Sequence, residues 1–240
     1  MRCDNRYLYD QDSPNAAMLL RELHEQVLSV SFSPVEYIPP TTFECTDELA
    51  LIACGDDGLV LGGALGEIYS TAGLLAYLAA RPGMRGGGIG SMLLAAIKDR
   101  WLGRRPIMFV ELDDPRYHEP HPDYGDPVAR LRFYGAFGIR LLSIPYFQPR
   151  LRADLPRGYR VFLGVVQPDG GAGPATVPAS EVTGFLREYF EVCEGSEALD
   201  DPEVRWLLDA VAEQPQISLV DPVEYKAMPD LAPPGAAHGQ

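Results

Sequence analysis

The sequence predicts a mixed α/β (α+β) fold with a helical C-terminal extension, and three stretches carry that prediction. LALIAC, GDDG and LVLGGALGEIY form two apolar runs joined by an Asp/Gly turn, the pattern of a β-hairpin, because these turn residues adopt positive backbone angles cheaply. LLAYLAA (74–80) is a short, nearly continuous apolar run, as expected of a strand buried on both faces, and it leads through RPGMRGGG into a helix. PIMFVEL (106–112) repeats the buried-strand signature ahead of a polar, proline-bearing loop and the helical VARLRFYGAFG.

The first helix opens at Ser13 and Pro14, an N-cap followed by a first-turn proline, and places Ala16, Leu19, Leu20, Leu23, Val27 and Leu28 on one face. After the hairpin and the 74–80 strand, the helix beyond the glycines carries Ile89, Met92, Leu93, Ala96, Ile97 and Trp101 on one side and ends near Gly103. IRLLSIPYFQP and GYRVFLGVVQP supply two further strands. DGGAGPATVPAS is a Gly/Pro-rich linker, SEVTGFLREYFEVC and PEVRWLLDAV are short amphipathic helices, and LAPPGAAHGQ is expected to be a disordered tail. The expected division is a core domain over 1–168, a linker over 169–180 and a helical extension with its tail over 181–240.

A chain of 240 residues with 46% hydrophobic and 22% charged content can bury a core without disulfide staples. Cys3, Cys45, Cys54 and Cys193 are far apart and form no CxxC pair, and the start MRCDNRYLYD has no apolar run, so free thiols and a cytoplasmic location are expected. Charged residues or glycine interrupt every apolar stretch before membrane-spanning length, which argues against a membrane protein. A net charge of -14 opposes nonspecific attraction to phosphate backbones, so no nucleic-acid partner is expected. The same charge concentrates cations, amines among them, though acidity also serves solubility.

RPGMRGGGIGSMLL (81–94) is the most informative stretch. A glycine run between a buried strand and a helix exposes backbone N–H groups at the positive end of the helix dipole, where phosphate oxygens bind. A P-loop would need Lys and then Ser or Thr after its last glycine, and here Ile89, Gly90 and Ser91 follow Gly88. A dinucleotide fingerprint would need a third glycine or an alanine where Ser91 or Leu93 stands. Glycines present only for tight packing are the structural alternative.

LAARPGMRGGGIGSMLL resembles the acetyl-CoA signature of the GNAT superfamily of N-acetyltransferases: Arg85, Gly88 and Gly90 meet its Arg/Gln-x-x-Gly-x-Gly/Ala pattern, and Leu78, Ala79 and Pro82 its approach. RLRFYGAFGIRLL is similar to the family's Tyr-x-x-x-Gly-Phe block, with Tyr134 in the tyrosine position and Gly138 ahead of the final strands. The likeness spans roughly residues 1–168. Ile139 stands where the family has an aromatic, and Pro127 where it often has Asn. The resemblance implies a GNAT-like, mostly antiparallel central sheet splayed between the family's strands 4 and 5, here 74–80 and 106–112, with helices on both faces. It places pantetheine in that gap, paired with the backbone of Leu78 and Ala80. The cofactor-binding set it implies is Leu78, Ala79, Ala80, Arg85, Gly86, Gly87, Gly88, Ile89, Gly90, Ser91 and Tyr134, with acetyl-CoA as co-substrate. Of the basic residues in and after the loop (Arg81, Arg85, Lys98, Arg100, Arg104, Arg105), Arg81 and Arg85 are expected to face phosphate.

Acetyl transfer to an amine requires a neutral amine, oxyanion stabilisation and a proton for the departing thiolate. A backbone N–H between Leu78 and Ala80 is the oxyanion donor implied. Tyr134 is the implied acid, since a phenol is protonated at pH 7; a core tyrosine is the other reading. Glu111 in FVELDD and Glu67 in LGEIYS sit at strand ends and are the candidate bases, with solvated carboxylates as the alternative and Tyr69 and Tyr77 as weaker candidates. Six carboxylates (Glu111, Asp113, Asp114, Glu119, Asp123, Asp126) line the loop leading to Tyr134 and could draw a cationic substrate or simply be solvated. His118 and His121 lack metal-site spacing, so no metal is expected. The cysteines fall outside the matched motifs, so direct attack without a covalent enzyme intermediate is expected.

The extension helices present Phe185, Leu186, Tyr189 and Phe190, then Trp206, Leu207 and Val211. These faces could pack on the core, cover the acceptor site or form a homodimer contact. The expected function is an acetyl-CoA-dependent N-acetyltransferase acting on a primary amine of a small molecule. The alternatives are a catalytically weak acyl-CoA-binding regulatory module and an N-acetyltransferase of proteins or antibiotics.

Overall fold

A computed structural model describes residues 2–3, 6–10, 12–39, 49–103, 107–167, 173 and 175–228. Cys45, Arg104, Arg105, most of the glycine-rich part of the linker and the tail lie outside the described residues. The chain forms two compact units, the first made of Met1–Ile68, Gly73–Met108 and Pro120–Gly125, the second of Tyr69–Ala72, Phe109–Glu119 and Asp126–Gln240.

In the first unit β1 (Arg2–Cys3), β2 (Arg6–Asp10), β3 (Leu49–Gly55), β4 (Val60–Ile68) and β5 (Gly73–Ala80) run in that order, each antiparallel to the next. The predicted hairpin is β3–β4, turned at Gly58, whose φ of 82° is open to glycine at little cost. Helix α1 (Ala16–Leu23) starts later than the sequence suggests. Ser13 does not cap it; its hydroxyl donates to the Asp10 carboxylate and accepts from the Asp10 amide, closing a turn ahead of the helix. The helix then widens into a π-turn over His24–Leu28 and ends in α2 (Ser29–Ser31). Burial holds the His24 pKa down at about 4, so its ring is neutral, and its Nδ1 lies 2.8 Å from the Tyr37 hydroxyl.

Two adjacent glycines explain how helices flank this sheet. A Cβ on Gly63 would lie 2.6 Å from Leu23 of α1, whereas one on Gly62 would lie 2.6 Å from the Ala79 carbonyl and 2.8 Å from Ile89 of α3 (Ile89–Arg100). Neighbouring strand residues point to opposite faces, so α1 and α3 cover opposite faces of β4. Gly62→Ala is expected to cost about 1–3 kcal/mol of stability, because the obstacle is backbone, which cannot rotate away; urea unfolding measures it.

In the second unit β6 (Met108–Asp113, entered at Met108), β7 (Ile139–Leu142), β8 (Val161–Val166), β9 (Thr176–Pro178) and β10 (Gln216–Val220) are ordered β6-β8-β7-β10-β9. The β7–β8, β7–β10 and β9–β10 pairs are antiparallel. The mixed, mostly antiparallel fold class expected from the sequence is therefore observed. Helix α4 (Pro127–Ala136) begins at Asp126, whose carboxylate accepts the Val128 amide at 2.8 Å, with Pro127 at the first turn, where its missing N–H costs nothing. The C-terminal segment supplies α5 (Ala179–Glu194) and α6 (Pro202–Ala212) as predicted, and also β9 and β10, which the sequence reading did not contain. No helix among the described residues is long and apolar enough to cross a membrane.

Candidate active site

The glycine loop forms as the sequence requires. Gly83, Gly86 and Gly88 all have φ of 80–82°, and Gly88 is the N-cap of α3. Residues 82–88 are exposed, and a Cβ on Gly86 would meet nothing within 4 Å. The amides of Gly86, Gly88, Ile89, Gly90 and Ser91 donate to no backbone carbonyl among the described residues; the ladder begins with Met92 N to Gly88 O at 3.0 Å. No acidic side chain occupies the first turn and none caps it. The result is a concentration of unpaired N–H groups at a helix N-terminus.

The two arginines diverge. Arg81 is committed to structure: its Nη2 lies 2.7 Å from Glu22 Oε1 and its Nε donates to the Val60 carbonyl. Arg85 is exposed and donates to the Asp123 carbonyl at 2.5 Å. It thereby ties the glycine loop to the 121–125 turn, closed by paired His121 and Gly125 backbone bonds and a His121–Tyr124 stack. Arg100 is paired with Asp10 at 3.1 Å.

Leu78, Ala79 and Ala80 pair with Ala64, Gly63 and Gly62 along β5. Two residues earlier the register breaks: Leu65 faces Tyr77 while Gly66 faces Leu75, leaving Ala76 bulged. Bulges re-aim backbone groups and gather near active sites. Apolar patterning alone could not reveal this one, because every residue around it is small or apolar. Glu67 is half-exposed near the end of β4, opposite Leu74.

In the second unit Tyr134 is buried in α4, with its pKa raised to about 12 by burial, against a smaller opposing effect of Arg130. Its hydroxyl makes no hydrogen bond among the described residues, so its proton is uncommitted. Glu111 on β6 is far from a solvated strand-end carboxylate. It accepts from the Tyr146 hydroxyl, from Gln148 Nε2 at 2.6 Å and from the Tyr189 hydroxyl at 3.3 Å. The other loop carboxylates are mostly committed: Asp113 to Arg130 at 2.7 Å, Asp114 to Arg116 at 2.6 Å, and Asp126 to its helix cap. The acidic loop is therefore built chiefly of structural pairs. His118 Nε2 lies 3.1 Å from the Arg160 carbonyl.

The fold, an antiparallel sheet flanked by helices with a glycine loop opening the helix after the bulged strand, is similar to that of a solved acetyltransferase. The chain is similar to an acetyltransferase assigned to the GNAT family from Bacteroides thetaiotaomicron, with 20% identity over 74% of this chain and 90% of that chain and a TM-score of 0.53. Other similar structures are an N-acetyltransferase from Lactobacillus plantarum (19% identity, 68% and 99% covered, TM-score 0.47) and the yncA acetyltransferase of Salmonella typhimurium with acetyl-CoA (16%, 71% and 98%, 0.45). No family model and no curated protein sequence matches the chain.

Proposed function

We propose that the protein is an acetyl-CoA-dependent N-acetyltransferase that moves an acetyl group to the primary amine of a small molecule by direct attack. The observation that carries this reading is the glycine loop, where the amides of Gly86, Gly88, Ile89, Gly90 and Ser91 donate to no backbone carbonyl among the described residues and no acidic side chain occupies the first turn of α3. These residues fit a pyrophosphate: its oxygens would take the N–H groups, and the bare glycines let it approach the backbone. Acetyl-CoA supplies an activated thioester.

The amine attacks the thioester carbonyl, the C–S bond breaks, and the thiolate needs a proton. Tyr134 is the proposed donor; burial keeps it protonated well beyond neutral pH, and no acceptor among the described residues competes for its proton. Glu67 and Glu111 are the carboxylates proposed to deal with the charge and proton of the acceptor amine. A covalent acyl-cysteine route is not supported by Cys54, which is buried with its pKa raised to about 11 by burial and by Glu22 and Asp57. The core transferase is assigned to residues 1–168 and the helical extension to 181–240.

Tyr134→Phe is the test. It should lower kcat by about 100-fold or more while leaving acetyl-CoA affinity and thermal stability near wild type, since the hydroxyl contributes a proton rather than a protein contact. Unchanged kcat would remove Tyr134 from the chemistry.

A further inference from the structure

Helix α5, read from sequence as an appendage, is built around two strand ends. Glu188 accepts both the amide and the hydroxyl of Ser70, and the Thr71 hydroxyl donates to the Glu181 carbonyl at 3.3 Å. Gly184 permits that approach, since a Cβ there would lie 2.9 Å from Thr71. The next turn presents Phe185 and Tyr189 to the Tyr69 ring at 5.2 and 5.7 Å, and the Tyr189 hydroxyl continues to Glu111. Residues 181, 184, 185, 188 and 189 share one face of the helix. That face engages the 69–72 turn, Glu111 and, through Phe185, the Phe109 ring at 4.6 Å.

We infer that this cage makes Glu111 the recognition site for the acceptor's ammonium group, a fixed negative charge set by α5 rather than the base that removes the amine's proton. The inference rests on the transferase reading above and assigns one of its two carboxylates. A general base must be able to take up a proton and pass it on. Glu111 instead receives hydrogen bonds from two phenols and a carboxamide, all of which favour the charged form. The groups at the carboxylate are Tyr146, Gln148 and Tyr189, and the titratable groups Tyr69 and Cys193 also act on the two phenols. Burial and the Glu111 charge both raise the pKa of Tyr146 and Tyr189, so the phenols remain donors. Glu111 is a half-buried residue whose carboxylate is held by two phenols, chemistry suited to pairing with a primary ammonium ion. Tyr146 and Tyr189 are positioning residues: they act through Glu111.

The experiment compares wild type, Glu111→Gln, Tyr189→Phe and the Tyr146→Phe/Tyr189→Phe pair. Glu111→Gln should raise the KM of a cationic amine by about 10-fold or more with kcat within a few-fold and acetyl-CoA affinity unchanged, since removing uniform binding moves KM. Tyr189→Phe should raise the same KM by a smaller factor and shift the acid limb of kcat/KM upward, and the double variant should do both more strongly. A second readout needs no turnover: the carboxyl carbon-13 resonance of Glu111 should stay flat over the assay pH range in wild type and titrate within it in the double variant. A collapse of kcat in Glu111→Gln at unchanged KM would assign Glu111 as the base and overturn the inference. A Glu111 resonance that titrates in wild type would also overturn it. Absence of turnover in wild type with every amine would instead count against the transferase reading, leaving the carbon-13 result to decide the state of Glu111.

Discussion

Gly88→Glu is expected to lower acetyl-CoA affinity by about 100-fold or more, equivalent to ~2.7 kcal/mol, while the protein remains folded. Two effects act in the same direction. Gly88 has a φ of 80° at the N-cap of α3, a conformation that costs a side chain about 1–2 kcal/mol. The new carboxylate would also enter a loop where the amides of Gly86 and of 88–91 donate to no backbone carbonyl among the described residues, competing for them and repelling phosphate. Gly88→Asn separates the two, because Asn tolerates the left-handed conformation and adds no charge; it should retain most of the affinity. Calorimetric titration with acetyl-CoA reads both variants, and equal affinity in wild type and Gly88→Glu would place the phosphates elsewhere.

Replacing Arg157 by Leu is expected to destabilise the protein by about 3–5 kcal/mol, because it strands carboxylates that the guanidinium now neutralises. The Arg157 side chain is 4% exposed and grips Glu194 with two bonds of 3.0 and 2.8 Å. It also reaches Asp201 at 2.8 Å and Glu203 at 2.9 Å, and lies over the Phe147 and Phe190 rings. Arg157→Lys should be intermediate, since it restores charge without the planar fork. Burial opposes ionisation of Glu194 and Asp201, yet the Arg157 hydrogen bonds prevail and hold both below the ordinary carboxylate range. The sign follows: a depressed folded-state pKa gives stability that is fully present above the unfolded values near 4 and is lost as pH falls through the folded values. Urea unfolding from neutral pH downward should show wild type losing this contribution in acid and Arg157→Leu showing a flatter acid limb.

Much of the fold was legible because local chemistry and tertiary environment agree. The Gly58 turn, the glycine loop and the Asp126–Pro127 start of α4 each require particular residue types at particular angles, and those residues are present. Strands β9 and β10 were not legible: TVP and QISLV are too short to carry a period and are defined by pairing with each other and with β7. The Ser13 assignment failed because a hydroxyl can close a turn as readily as cap a helix, and Asp10 sits three residues before it. At the candidate site, sequence could not separate Arg81 from Arg85, because the partner that engages Arg81, Glu22, is 59 residues away. Glu111 was picked out by its strand-end position, whereas Tyr146, Gln148 and Tyr189 around it come from 35 to 78 residues downstream. Only the folded chain brings such distant partners together.

The most direct test of N-acetyl transfer is release of the coenzyme thiol from acetyl-CoA in the presence of a panel of primary amines, with the product identified by mass. The account predicts thiol release that depends on the amine, matches N-acetyl product one for one, and falls sharply in Tyr134→Phe. Tight acetyl-CoA binding with no amine-dependent release, together with a background rate indifferent to Tyr134→Phe, would contradict it.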